Sequence, residues 1–105
     1  MDVVILDNCE KEIKTFPKEI LKDFLAIIED LENGFRVGPP ISKKLSGIGP
    51  GVFELRFKAI DGIYRIFYFL KKKDKIYFVH GFKKKAQKIP KKNIDLALKR
   101  IRRIK

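Results

Sequence analysis

Apolar and polar positions alternate most regularly between Val52 and Phe82, in the stretch VFELRFKAIDGIYRIFYFLKKKDKIYFVHGF. Phe53, Leu55 and Phe57 alternate with Glu54, Arg56 and Lys58, the period of a strand with two unlike faces. Asp61-Gly62 then predicts a two-residue hairpin loop, because both central residues of a type I′ turn need positive φ. Ile63 to Leu70, rich in aromatic and β-branched residues, predicts a second strand. Lys71 to Asp74 predicts a four-residue turn, and Ile76 to Phe82 a third strand. These loop lengths set a register in which Ile60 faces Ile63, Lys58 faces Arg65, Leu70 faces Lys75 and Arg65 faces His80. Arg56, Lys58, Arg65 and His80 then share one face of the sheet, and Leu55, Phe57, Ile66 and Tyr68 the other. A second loop of three or five residues would turn His80 to the wrong face.

The period changes on either side of this sheet. Val3 to Leu6 predicts an opening or edge strand. Asp7-Asn8 predicts a helix cap, with Glu10 and Glu12 where the helix dipole favours acids. Pro17 interrupts that short helix and suits the first turn of a second one. Ile20, Phe24, Ile27, Ile28 and Leu31 give the second helix an apolar stripe, and Gly34 ends it. The hairpin of two helices needs a sheet face to cover, and the face of Leu55, Phe57 and Ile66 is available. Residues 35–51 (FRVGPPISKKLSGIGPG) carry no regular pattern and read as a long loop, either functional or a plain crossover. After Pro90 a last helix is predicted, with Ile94, Leu98 and Ile101 as its apolar positions. The class is α+β: a small, antiparallel-rich twisted sheet with an N-terminal helical hairpin on one face and a C-terminal helix, in a single domain spanning 1–105.

Composition adds little to this picture, and charge adds much. A chain of 105 residues with 45% hydrophobic content can build one modest core. Its apolar runs are too short to span a bilayer, its start lacks a signal-peptide pattern, and a single Cys excludes an internal disulfide, so a cytoplasmic protein with no membrane association is expected. Cys9 reads as a structural residue at a helix start. The net charge is +12. Residues 1–70 hold 10 Lys/Arg and 11 Asp/Glu, whereas residues 71–105 hold 15 Lys/Arg and 2 Asp/Glu. A positive field concentrated in the last third attracts polyanions, nucleic acid above all, or an acidic protein partner.

One His and one Cys cannot make a zinc site, and GIGPG opens onto a strand rather than a helix, so it is no phosphate-binding fingerprint. What remains is the face of Arg56, Lys58, Arg65 and His80, bordered by Lys83, Lys84 and Lys85. Guanidinium and ammonium groups stabilise the charge that develops on phosphate oxygens during phosphodiester cleavage. An imidazole with a pKa near about 6.5 can move protons at neutral pH. RNA brings its own nucleophile, the 2′-hydroxyl, so such a cluster needs no cofactor and no metal. The alternative for Arg65 is a pairing with Glu54 or Asp61 that merely stiffens the sheet, and a lone strand His is commonly structural.

The segments KKLSGIGPGVFELRF, DGIYRIFYF and IYFVHGFKKKAQKIPKKNIDLALKRI resemble the RelE/ParE superfamily of type II toxin–antitoxin toxins, in particular its phage-derived HigB-like branch. The resemblance covers nearly the whole chain and rests on Glu54-Leu55-Arg56, Tyr64-Arg65 and Gly81-Phe82-Lys83-Lys84 ahead of Pro90. It implies a RelE-like sheet with helices on one face and a basic concave surface on the other. It also implies an mRNA endoribonuclease (an mRNA interferase) that acts on the ribosome and leaves a 2′,3′-cyclic phosphate. By the same resemblance Arg65 is a phosphate-stabilising position and Arg56 matches the Leu-Arg position. Lys43, Lys44, Lys58, Lys83, Lys84 and Lys85 would bind mRNA or ribosomal RNA, and His80 would transfer the proton. RelE-type toxins carry lysines where this chain has Val52 and Glu54, and a catalytic tyrosine near the C-terminus where this chain has none beyond Tyr77. The implied partner is a cognate antitoxin, commonly a helix-turn-helix DNA-binding protein. Two other functions fit the same residues: a toxin of this fold that inhibits DNA gyrase by protein binding, and a non-toxic basic nucleic-acid-binding module.

Overall fold

The computed structural model of the protein describes residues 1–72, 74–84 and 88–104. Strand β1 (Asp2–Ile5) leads into helices α1 (Asp7–Ile13) and α2 (Lys18–Glu32). Strands β2 (Ser42–Lys44), β3 (Val52–Ala59), β4 (Gly62–Lys71) and β5 (Lys75–Lys84) follow, and helix α3 (Lys91–Ile104) closes the chain. The sheet is mixed, in the order β1-β5-β4-β3-β2, with β1 parallel to β5 and the other pairs antiparallel. The α+β class, the helical hairpin on one face and the C-terminal helix are as predicted. None of the helices is long and apolar enough to cross a membrane among the described residues.

Two loops differ from expectation, and both differences bear on the site. The first hairpin closes at Ala59–Gly62, so its loop is Ile60-Asp61, one position earlier than predicted. Gly62 takes φ +143°, and a Cβ there would sit 3.2 Å from the Lys84 carbonyl oxygen, so glycine is needed at the strand start and not inside the loop. The register moves by two, which preserves the faces: Arg56 now lies opposite Arg65, and Lys58 opposite Ile63. In the second hairpin Lys71 pairs with Lys75, leaving three residues between the strands rather than four. That alone would misplace His80. A bulge corrects it: Tyr68 faces Phe78, Phe67 faces His80, and Val79 is the extra residue. His80 thereby returns to the face of Phe67 and Arg65.

Each face has its own core. On one, Ile13, Phe16, Ile20, Phe24, Ile27 and Leu31 of the helical hairpin pack against Leu55, Phe57, Ile66, Tyr68, Ile76 and Phe78. Gly81 allows this approach, since a Cβ there would lie 3.0 Å from Ile13 and 3.3 Å from the Phe16 ring. On the other, Val52, Phe67, Phe69 and Val79 are covered by Ala97 and Ile101 of α3. The second face is therefore not a wholly open basic surface, because α3 occupies one end of it. The buried positions of α3 are Asn93, Ala97 and Ile101, while Ile94 and Leu98 are only half-buried. The helix is rotated from the predicted stripe so that small Ala97 meets the sheet and Asn93 meets His80.

Smaller corrections follow from hydrogen bonding. Leu6, not Asp7-Asn8, caps α1, with no side-chain cap bond. Its N–H extends the β1–β5 ladder to the Phe78 carbonyl at 3.1 Å while its own carbonyl accepts from Glu10 N at 2.9 Å, so one residue ends the strand and starts the helix. Within the predicted loop, Ser42–Lys44 form strand β2, anchored by a 2.6 Å hydrogen bond between the Ser42 and Tyr68 hydroxyls.

Candidate nucleic-acid interface

Register alone assembles the site. Lys43 lies opposite Glu54, Arg56 opposite Arg65, and both Lys58 and Lys84 opposite Ile63. Side chains alternate across a sheet, so Lys43, Glu54, Arg56, Lys58, Arg65 and Lys84 all belong to the α3-bearing face. Five cations thus share this face with one carboxylate. Lys43 and Lys58 are exposed, Arg56 is half-buried, and Glu54, Arg65 and Lys84 are buried.

The centre of this cluster is the Glu54–Arg65 ion pair. Arg65 Nη1 donates to Glu54 Oε1 at 2.7 Å, and Arg56 Nε approaches the same oxygen at 3.8 Å. Two guanidiniums beside one buried carboxylate leave a net positive centre, which is unfavourable without an anion. Two buried atoms also lack a hydrogen-bond partner among the described residues: Glu54 Oε2 and Arg65 Nε. Lys84 responds to the same crowding. Burial, then the charges of Arg65 and Arg56, push its pKa down against the opposing pull of Glu54.

His80 sits on the predicted face but beneath α3, buried at 4% exposure. Its Nε2 lies 2.7 Å from Asn93 Oδ1, and its Nδ1 lies 3.0 Å from Glu12 Oε1. Its ring stacks on Phe82, with centroids 5.2 Å apart. Both nitrogens are engaged and the ring is covered, an arrangement that ties α1 and α3 to β5. Glu12 is the hub of that arrangement. It accepts from Arg100 Nη1 at 2.8 Å, Arg100 Nη2 at 3.2 Å and the Gly81 amide at 3.2 Å. Burial would raise its pKa, but the hydrogen bonds from His80, Arg100 and Gly81 overcome this and hold it at about 2.

The lysine run is divided by the strand. Lys84 joins the cationic face, but Lys83 points to the opposite side, opposite Tyr64, where its Nζ donates to Asp61 Oδ2 at 2.9 Å. The Tyr64 hydroxyl donates to the same oxygen at 2.8 Å. Lys44, opposite Phe53, is likewise on the helical-hairpin side. Lys85 lies outside the described residues. Of the expected site, the structure therefore gathers Arg56, Arg65, Lys43, Lys58 and Lys84, and separates His80, Lys44 and Lys83 from them. The Glu54–Arg65 pairing is the alternative that the sequence offers for Arg65, and the structure forms it at 2.7 Å.

The family described as "Phage derived protein Gp49-like (DUF891)" matches residues 11–102. Among solved structures, a free-state arginine double mutant of the E. coli toxin RelE is similar, with a TM-score of 0.68 over 95% of this chain and 96% of that one, at 17% sequence identity. No curated protein sequence matches.

Proposed function

Because the chain belongs to the phage-derived Gp49-like family and has the RelE fold, we propose that it is the toxin of a type II toxin–antitoxin pair and cleaves mRNA on the ribosome without a metal. One observation carries the reading: Arg56 and Arg65 face each other across β3 and β4, beside one carboxylate, with Arg65 Nε lacking a hydrogen-bond partner among the described residues. A phosphodiester supplies the missing anion. Arg56, the more accessible, meets the scissile phosphate first, and Arg65 stabilises the charge that develops on its oxygens. Exposed Lys43 and Lys58 hold the flanking backbone, which steers binding and makes it salt-dependent. The RNA 2′-hydroxyl is the nucleophile, so the protein's task is positioning, charge stabilisation and proton transfer. Lys44 and Lys83 lie on the other side of the sheet and, with Lys85, would serve docking to ribosomal RNA rather than chemistry.

The partner is an antitoxin, and a chain of net charge +12 favours an acidic one. Untreated protein and protein dialysed against a chelator to remove any bound metal, each added to ribosomes programmed with a defined mRNA, test the reading. Cleavage by both, with 2′,3′-cyclic phosphate ends, is the expected result. Intact mRNA alongside inhibited DNA gyrase would point instead to the protein-binding toxins of this fold.

A further inference from the structure

Helix α2 ends in a turn that leaves an aromatic ring without its usual support. Gly34 takes φ +87°, its N–H donates to the Leu31 carbonyl at 3.1 Å, and the Phe35 N–H reaches back to the Asp30 carbonyl at 2.9 Å. In a helix end of this kind the residue at Phe35's position commonly packs on an apolar residue one turn earlier. Here those earlier positions are Glu29 and Asp30, and Phe35 stays 63% exposed.

Phe35 lines a cavity of about 510 Å³ on the helical-hairpin side of the sheet, away from Arg56 and Arg65. Leu31 and Val37 line it beside Phe35, and Phe53 and Tyr68 line it from the sheet, their rings stacked with centroids 5.2 Å apart. The Tyr68 hydroxyl is already bonded to Ser42 at 2.6 Å. The loop after α2 is tied down at its far end, where the Ser42 N–H donates to the Gly38 carbonyl at 3.0 Å. A cleft held at both ends costs little ordering to fill. Its charge is of one sign. Among the described residues the charged side chains that line it are Arg36 and Lys44, both exposed, and the acids of the last turn of α2 do not.

Resting on the toxin–antitoxin reading above, we propose that this cleft anchors the antitoxin. Its occupant is an acidic amphipathic segment, which inserts apolar side chains beside Phe35, Phe53 and Tyr68 and sets carboxylates against Arg36 and Lys44. Exposed apolar surface rimmed by polar groups marks an interaction site, and the two cations choose an acidic partner. Lys44 is assigned above to ribosomal RNA, so an occupied cleft withholds that contact from the ribosome without touching Arg56 or Arg65.

The test is the affinity of the full-length protein for the purified product of the neighbouring gene, with thermal melts of every variant. Phe35→Glu is expected to weaken binding by at least roughly 30-fold, the effect of losing an aromatic anchor, while cleaving mRNA as the wild type does. Phe35→Leu should restore most of the affinity. Arg36→Glu/Lys44→Glu, at two exposed positions, should slow association by about 10-fold or more. Lys43→Ala/Lys58→Ala, on the other face, should bind as the wild type does. Wild-type affinity in both Phe35→Glu and Arg36→Glu/Lys44→Glu would overturn the proposal. So would a dimer of the protein alone that Phe35→Glu dissolves, which would give the cleft to a second copy. Either result, with a wild-type protein that binds the product, rejects the cleft and leaves the antitoxin reading standing. A wild-type protein that does not bind the product defeats both, and its mRNA cleavage then decides the endonuclease reading separately.

Discussion

Arg65 reaches Glu54 diagonally across the β3–β4 ladder, Nη1 to Oε1 at 2.7 Å, with both side chains at least 95% shielded from solvent. This pair decides how the cationic face is to be tested. Removing one member of a buried ion pair leaves an uncompensated charge and costs about 3–5 kcal/mol. A loss of activity in an Arg65 variant can therefore reflect folding as well as chemistry, whereas Arg56, with a third of its side chain exposed, reports chemistry more cleanly.

Arg56→Ala is expected to lower RNA cleavage on the order of 10²-fold with a melting temperature close to that of the wild type. Cleavage assays and thermal melts on the same preparation check it. Full activity in a well-folded Arg56→Ala protein would remove Arg56 from the phosphate site.

Arg65→Lys keeps the charge but loses the planar fork that serves Glu54 and a phosphate together. It is expected to lose most cleavage and also to melt at a lower temperature, by an amount equivalent to about 1–3 kcal/mol. A lower melting temperature with wild-type cleavage would show that Arg65 only stiffens the sheet.

Salt dependence separates the two sides of the sheet. Each contact to single-stranded nucleic acid contributes about 0.7 to the slope of log affinity against log salt. The double variant Lys43→Ala/Lys58→Ala should thus flatten the slope for RNA binding by about 1.4. Lys83→Ala, whose ammonium is tied to Asp61 on the other side, should leave the slope for a short single-stranded mRNA unchanged, since its docking role is to ribosomal RNA. The reverse pattern would place the RNA on the helical-hairpin face.

Glu12 sets the response to acid. Its pKa falls from 4.5 to about 2 on folding, so its contribution to stability is complete above pH 4.5 and drains away as the pH falls toward 2. Glu12→Gln loses the ionic part of the contact with Arg100 and His80. It should be less stable at neutral pH by about 2 kcal/mol, a buried-pair value discounted for partial exposure. Melting temperatures of the two proteins should converge as the pH falls through that window. Parallel curves from pH 7 to 2 would show that Glu12 is not the acid-sensitive group.

Much of this architecture was legible in the sequence because it rests on period. The alternation in Val52–Ala59 and the stripe from Ile20 to Leu31 each require one buried face, and the structure buries them. Face membership survived two errors in loop length, since a register shift of two is silent and the Val79 bulge restored His80. What remained illegible depends on contacts between distant segments. Nothing local announces that Glu12 and Arg100 will meet at His80, or that Asn93 will rotate α3 toward the sheet. The division of Lys83 from Lys84 was implicit in strand alternation, but the predicted third strand stopped at Phe82, and β5 runs two residues further.

The most direct test of the cationic face as an RNA-cleaving site is to map RNA 3′ ends in growing cells after brief induction of the wild-type protein and, separately, of Arg56→Ala. The account predicts in-frame mRNA cuts bearing 2′,3′-cyclic phosphates and arrested growth with the wild type, and neither with Arg56→Ala. Arrested growth with intact mRNA, or identical cuts from both proteins, would contradict it.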